Sequence, residues 1–190
     1  MNRICRAKSN TSRLLAALTV LCLAQMWFQE PAVSRVKSLK EIRETGVVIQ
    51  QWDTSCAAAA LATVFTYVLH DPVSERTVAQ GMLNRTNPLK VKHRSGFSLL
   101  DMKRFAEARG YRAMAMKGFA LDDLSFLDGV IVPIKQFGYN HYVVFRGFDA
   151  DNQIRLADPA FGNRTVNRRK FEAMWMDGIA FIVTPRQQSS

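Results

Sequence analysis

Residues 57–69, AAAALATVFTYVL, contain no charged side chain. A helix that is apolar all round is stable only when other elements enclose it. Thirteen residues are too few to cross a bilayer, which takes about 20. The stretch therefore reads as the buried central helix of a globular domain. Asp71-Pro72 ends it, because proline removes a backbone donor and clashes with the preceding turn. The 190-residue chain supplies enough sequence to enclose such a helix within one domain.

The remaining elements follow from capping and periodicity. Ser38 to Glu44 reads as a short helix with Ser38 as its cap and Gly46 just past its end. Val47, Val48 and Ile49 read as extended. Ser74 to Leu83 reads as a helix with Glu75 in its first turn. Residues 84–97 are basic and read as irregular. Ser98, with Asp101 three residues on, signals the start of LLDMKRFAEAR, which Gly110 stops. Its Leu99, Met102, Phe105 and Ala106 share one face. YRAMAMKG alternates as a strand does, and LDDLSFLDG reads as a short helix or turn. Strands are then expected at Val130 to Lys135, His141 to Phe148, Gln153 to Ala157, Arg164 to Val166 and Ile179 to Val183, with Gly138, 149–152 and 159–163 as turns. Helices first and an antiparallel sheet afterwards make an α+β domain. Its expected extent is 46–186, preceded by a linker and short helix over 25–45.

The N-terminus reads as an export signal. Arg3, Arg6, Lys8 and Arg13 stand without an acid in residues 1–13, and residues 14–28 are uncharged and apolar. A basic head followed by a short apolar run is the pattern of a secretory signal peptide. Small residues at Cys22 and Ala24 place the expected cleavage after Ala24, giving a signal at 1–24 and an exported, periplasmic or envelope-associated product. The alternative is an anchor that keeps the segment and holds the protein at the membrane. Cleavage would remove Cys5 and Cys22 and leave Cys56 as the sole thiol. The formal charge of +10 belongs in part to this head. No nucleic-acid reader motif accompanies it, and the basic residues are not interleaved with aromatics, which argues against a nucleic-acid partner. The clusters Lys90, Lys92, Arg94 and Arg164, Arg168, Arg169, Lys170 read as solvated loops, or as surfaces facing an anionic substrate or membrane.

Four residues carry candidate chemistry. Cys56 follows Thr54 and Ser55, both good N-cap residues, and opens the buried helix. A helix N-terminus stabilises a thiolate through its dipole and its free N–H groups. The other reading of Cys56 is an inert buried thiol. His141 lies where HYVVFRGF emerges from a turn, on a rigid element suited to a base that titrates near neutrality. His70 and His93 read as solvated. Asp158 ends IRLAD, and the hairpin from His141 brings it back beside the imidazole, where a carboxylate fixes the tautomer. Its other reading is a turn-initiating Asp before Pro159. Gln50, six residues before Cys56, offers an amide to an oxyanion, with Gln51 as competitor. Trp52 reads either as a cleft platform or as core packing, Asn140 as a neighbour of the cleft, and Trp175 as core.

QQWDTSCAAAALATV, SGFSLLDMKRFAEARGY, NHYVVFRGF and LADPAFG, in this order, resemble the bacteriocin-processing, double-glycine-leader cysteine peptidase family. The resemblance covers most of residues 46–184 and implies a papain-like fold. It implies Cys56 as nucleophile, His141 as base, Asp158 as its orienting carboxylate and Gln50 in the oxyanion hole. Two departures stand out. Ala57 follows the nucleophile where many members have Gly. The chain also lacks the transporter spans and the GxxxxGK[ST] loop of the best-known members, so it resembles a stand-alone exported form. A peptide or protein substrate is implied, with an envelope protein as a further partner; no cofactor and no metal is called for. The competing readings are a non-catalytic papain-like module that binds a peptide or envelope partner through the same cleft, and a cell-wall amidase.

Overall fold

The structure is a computed structural model, and it describes residues 36–186. The expected signal segment, 1–24, lies outside the described residues, as does 25–35 of the expected linker.

The first half is helical. Helix α1 spans Leu39–Glu44, α2 Cys56–Tyr67, α3 Glu75–Leu83, α4 Pro88–Arg94 and α5 Leu99–Ala108. Strand β1 follows at Tyr111–Met116, then a 3₁₀ turn at Leu121–Phe126, β2 at Val130–Gln136, β3 at Tyr139–Phe148, β4 at Ile154–Asp158 and β5 at Gly162–Val166. Helix α6 is Arg168–Met174 and β6 Ala180–Pro185. The strands form one antiparallel sheet in the order β1-β6-β2-β3-β4-β5. The α+β architecture and the papain-like arrangement expected from the sequence are both present.

The sheet is covered on both faces, which explains why β2 reads as an unbroken apolar run. Ile131, with Val144, Ala157 and Phe181, packs against α2, α3 and α5. Val130, Val132 and Ile134 point to the opposite core with Phe145, Leu156 and Phe171, closed by the 3₁₀ turn and α6. Side chains alternate across a strand, so a strand clothed on both faces needs apolar residues at every position. Helix α2 is the centre of the larger core: Ala57 to Phe65 are all buried. The Ser38 cap and the Ser98–Asp101 capping signature form as expected, and both prove to be capping boxes, each hydroxyl accepting from the N3 backbone and each N3 carboxylate accepting from the cap. The far end of α2 is fixed by Asp71, which accepts from Arg109 Nε at 2.6 Å and from the Tyr111 hydroxyl at 3.1 Å.

The structure departs from or adds to the sequence reading in three places. Residues 84–97 are not irregular throughout, because Pro88–Arg94 is helical. Asn87 caps it, accepting from Leu89 N–H at 2.9 Å, and Pro88 supplies the preset φ of a first helical position. Val47 to Ile49 join no strand: Val48 N–H donates to Thr63 Oγ1 on α2 at 2.9 Å, and Gln50 N–H to the Pro159 carbonyl at 2.8 Å. Residues 168–174 form α6, which the sequence did not signal. Only Asn167 caps it, and its fixation comes from Phe171 in the core and Trp175 packed 5.6 Å from that ring. Trp175 is half-buried and packs against this core, in line with the expectation. Gly162 opens β5 at φ 76°. A Cβ there would stand 2.6 Å from the Arg43 carbonyl oxygen, so α1 lies directly against this strand.

Candidate active site

Cys56 is the first residue of α2 and is partly buried. Ser55 holds the N-cap position but makes no side-chain cap bond. The expectation of a capping hydroxyl at 54–55 is corrected, and the reason is tertiary. The Ser55 hydroxyl lies 2.5 Å from Glu75 Oε1 and 2.7 Å from the Trp52 carbonyl. Drawn away in this fashion, it leaves the first N–H groups of α2 without a side-chain acceptor. These groups have no intrahelical partner and carry the positive end of the helix dipole.

Glu75 was legible in the sequence only as a first-turn acid. In the fold it is buried and accepts from the Ser55 hydroxyl and from Gln51 N–H at 3.0 and 3.1 Å. It therefore ties the loop before Cys56 to α3. Removing this carboxylate leaves the half-buried Gln51 N–H unsatisfied, at a cost of about 1–3 kcal/mol, while the Ser55 hydroxyl keeps the Trp52 carbonyl. Glu75→Ala is expected to lower the urea midpoint accordingly and to reduce turnover. An unchanged midpoint would show that the loop does not depend on this anchor.

His141 is the third residue of β3, not its first, because β2 and β3 pair as far as Gln136 and Tyr139. The turn between them is Phe137-Gly138, both at positive φ. His141 Nε2 stands 2.7 Å from Asp158 Oδ1. Cys56 lies near enough to the ring to help raise its pKa, and with Nε2 held by Asp158 the nitrogen left for the thiol is Nδ1. Asp158 is fully buried at the end of β4. The expected hairpin exists, and the β3–β4 pairing Val144 with Ala157 sets its register. Asp158 Oδ1 also accepts from Ala160 N–H at 2.9 Å, and Oδ2 accepts from Arg164 Nε at 2.8 Å. Every neighbour of this carboxylate is a donor.

The electrostatics follow from these contacts. Burial works against a charged imidazole, yet its hydrogen bond to Asp158, the neighbouring Cys56 and the charges of both outweigh it and push the His141 pKa up to about 9. Burial also works against the Asp158 carboxylate. The hydrogen bond and charge of His141, then Ala160 N–H and Arg164, overcome that and hold it below the ordinary carboxylate value of 3.8. A raised histidine stabilises the fold fully below its unfolded value of 6.5, and that share is lost as pH rises through about 9. A depressed aspartate contributes above 3.8 and loses its share as pH falls through its lower folded value. Thermal melts are expected to show Tm falling between about pH 6.5 and 9 in the wild type. The fall should be smaller in His141→Gln, and an equal slope in both proteins would refute the assignment.

Gln50 and Gln51 separate in the fold. Gln50 Nε2 donates to the Trp52 carbonyl at 3.1 Å, and its Oε1 is buried with no hydrogen-bond partner. An amide NH2 carries two hydrogens, so one remains beyond that bond. The Gln51 side chain is exposed, and only its backbone is engaged by Glu75. Trp52 is 41% exposed, with the Arg76 guanidinium 5.5 Å over its ring, so the core-packing reading is corrected. Strand alternation puts Asn140 on the opposite face of β3 from His141, and it is exposed. His70 and His93 are exposed, as expected.

The sequence places Arg164 in a basic cluster of solvated loops or of surfaces facing an anionic partner, with no inward role. In the structure it is a clamp: Nε and Nη2 hold Asp158 Oδ2, and Nη2 donates to Gln136 Oε1 at 2.6 Å. The β4–β5 register, Asp158 opposite Gly162 and Leu156 opposite Arg164, brings it there. Arg168 is likewise paired, to Asp122 at 2.8 Å.

A profile described as the peptidase C39 family matches residues 44–188. The probable functional amyloid protease FapD of Pseudomonas fluorescens is 34% identical over 181 residues, covering 90% of this chain and 79% of the relative. The protein of the same name from Pseudomonas aeruginosa is 36% identical over 151 residues, 78% of this chain and 65% of the relative. Among solved structures, the peptidase domain of Streptococcus ComA superposes with a TM-score of 0.60 at 23% identity, over 74% of this chain and 98% of that one. A double glycine motif protease from an AMS/PCAT transporter, solved with its leader peptide, gives 0.59 at 23%, over 74% and 91%. The match across the whole described core, together with these relatives, shows that the chain belongs to the peptidase C39 family and is a cysteine peptidase.

Proposed function

We propose that this peptidase is exported and processes a peptide or protein outside the cytoplasm, as a component of a functional-amyloid system like that named for its Pseudomonas relatives. The observation that carries the chemistry is the His141–Asp158 pair set against Cys56 at an uncapped helix N-terminus.

In this reading the Cys56 thiolate attacks the scissile carbonyl carbon while His141 is cationic. The oxyanion takes the free hydrogen of Gln50 Nε2 and the Cys56 N–H. As the C–N bond breaks, His141 Nδ1 gives its proton to the leaving amine, and a thioester remains. The neutral imidazole then takes a proton from water, which attacks the thioester. Expulsion of the Cys56 thiolate restores the starting pair. Asp158 holds Nε2–H throughout, so the proton that moves is always at Nδ1.

The alkaline limb of kcat/KM should fall about tenfold per pH unit once the imidazolium is lost, with its bend near 9. A rate still rising past pH 10 would contradict a cationic His141 in the free enzyme. The substrate is found by mapping protein N-termini in cells carrying the wild type or Cys56→Ala. A terminus present only with the wild type identifies the processed protein. Identical sets would favour a peptide-binding module instead.

A further inference from the structure

A cavity of about 680 Å³ opens on the outer side of Arg164, between the tip of the β2–β3 hairpin, β5, α1 and α6. Its wall carries four cations, Arg43, Lys135, Arg164 and Lys170, and no acid. Arg164 is committed to Asp158. Arg43, Lys135 and Lys170 form no ion pair among the described residues. Like charges around one concavity repel each other when it is empty, and an acidic occupant relieves that repulsion.

Two aromatic rings complete the wall. Phe137 is 83% exposed and sits at φ 50° in a two-residue hairpin turn. That position favours Asn, Asp or Gly, and a large side chain there is strained. The fold gains no burial from this phenylalanine. Phe161, 52% exposed, lies beneath the Arg164 guanidinium at 5.7 Å. The basin thus offers cations for carboxylates and two open rings for an apolar side chain.

We propose that this basin is a docking site for an acidic segment of the protein substrate, bearing an apolar side chain that packs on Phe137 and Phe161; this rests on the processing role given above. The site lies one side chain from the reaction centre, since Arg164 faces the basin on one side and the buried Asp158 on the other. It would select substrates by charge at a distance from the scissile bond.

The test reads binding without turnover, in the full-length Cys56→Ala chain. The probe is a fluorescein-labelled twelve-residue peptide of alternating Glu and Leu, compared with its Gln/Leu counterpart by anisotropy. The Glu/Leu peptide should bind at least tenfold more tightly. K135E/K170E should weaken it at least tenfold, and Phe137→Gly, which suits the turn, severalfold. Equal affinity for the two peptides, or binding indifferent to charge reversal, overturns the proposal. So does sedimentation with phosphatidylglycerol vesicles that K135E/K170E abolishes while neither peptide binds, which would assign the basin to a membrane surface. Acidic binding that stands while Cys56→Ala alters no cellular N-terminus supports the site and counts against the processing role alone.

Discussion

Cys56→Ala is expected to lower peptide cleavage by about 10⁴-fold or more, with the fold intact. No other described thiol can replace the nucleophile, because Cys56 is the one free cysteine among the described residues. The stability change should stay within about 1 kcal/mol. Alanine is the best helix former, and the position is only partly buried at the helix start. Cleavage is followed by mass spectrometry of the processed protein, and folding by thermal melt and circular dichroism. Full activity in this variant would remove Cys56 from the mechanism, and an unfolded variant would be met by testing Cys56→Ser.

Asp158→Asn should be the more damaging change to the molecule as a whole. Both oxygens of Asp158 accept, Oδ1 from His141 and Ala160 N–H, Oδ2 from Arg164. An asparagine has one acceptor and one donor end. If its NH2 faces Arg164, two donors meet. If it faces His141, the imidazole must present a bare Nε2, and its proton moves to Nδ1, against the thiol. Either way a half-buried guanidinium or imidazole loses its counter-charge. Breaking a buried pair from one side costs about 3–5 kcal/mol. Activity is expected to fall on the order of 10²- to 10⁴-fold. The alkaline bend should also shift downward from about 9, since Asp158 is a leading cause of the raised His141 pKa. A bend that stays in place with reduced kcat would show that Asp158 does not set the charge of His141. Arg164→Met, which keeps the length of the side chain but leaves Asp158 without its cation, should lower stability in the same direction and by less.

The residues proposed for the chemistry are legible where local pattern speaks for them. Cys56 opens a charge-free helix that a break at Asp71-Pro72 delimits. Asp158 follows His141 by one hairpin, and period-two strands around the 149–152 turn are enough to return it to the imidazole. The Ser98–Asp101 capping box depends on three-residue spacing and forms as read, as does the cap at Ser38. Trp52, by contrast, stands exposed under Arg76 although a tryptophan beside a buried helix reads equally well as core.

The sequence by itself determined most of the elements, the α+β order and the candidate set Cys56, His141 and Asp158, because each rests on spacing within one turn, one helix or one hairpin. The tertiary structure alone decided Glu75, Arg164 and the cationic basin. Glu75 reaches the nucleophile loop from α3, 20 residues from Ser55, and Arg164 clamps Asp158 only through the β4–β5 register. Their roles depend on which oxygens stand within hydrogen-bond reach after packing. No periodicity records that, since a paired arginine and a solvated one are the same letter in the chain.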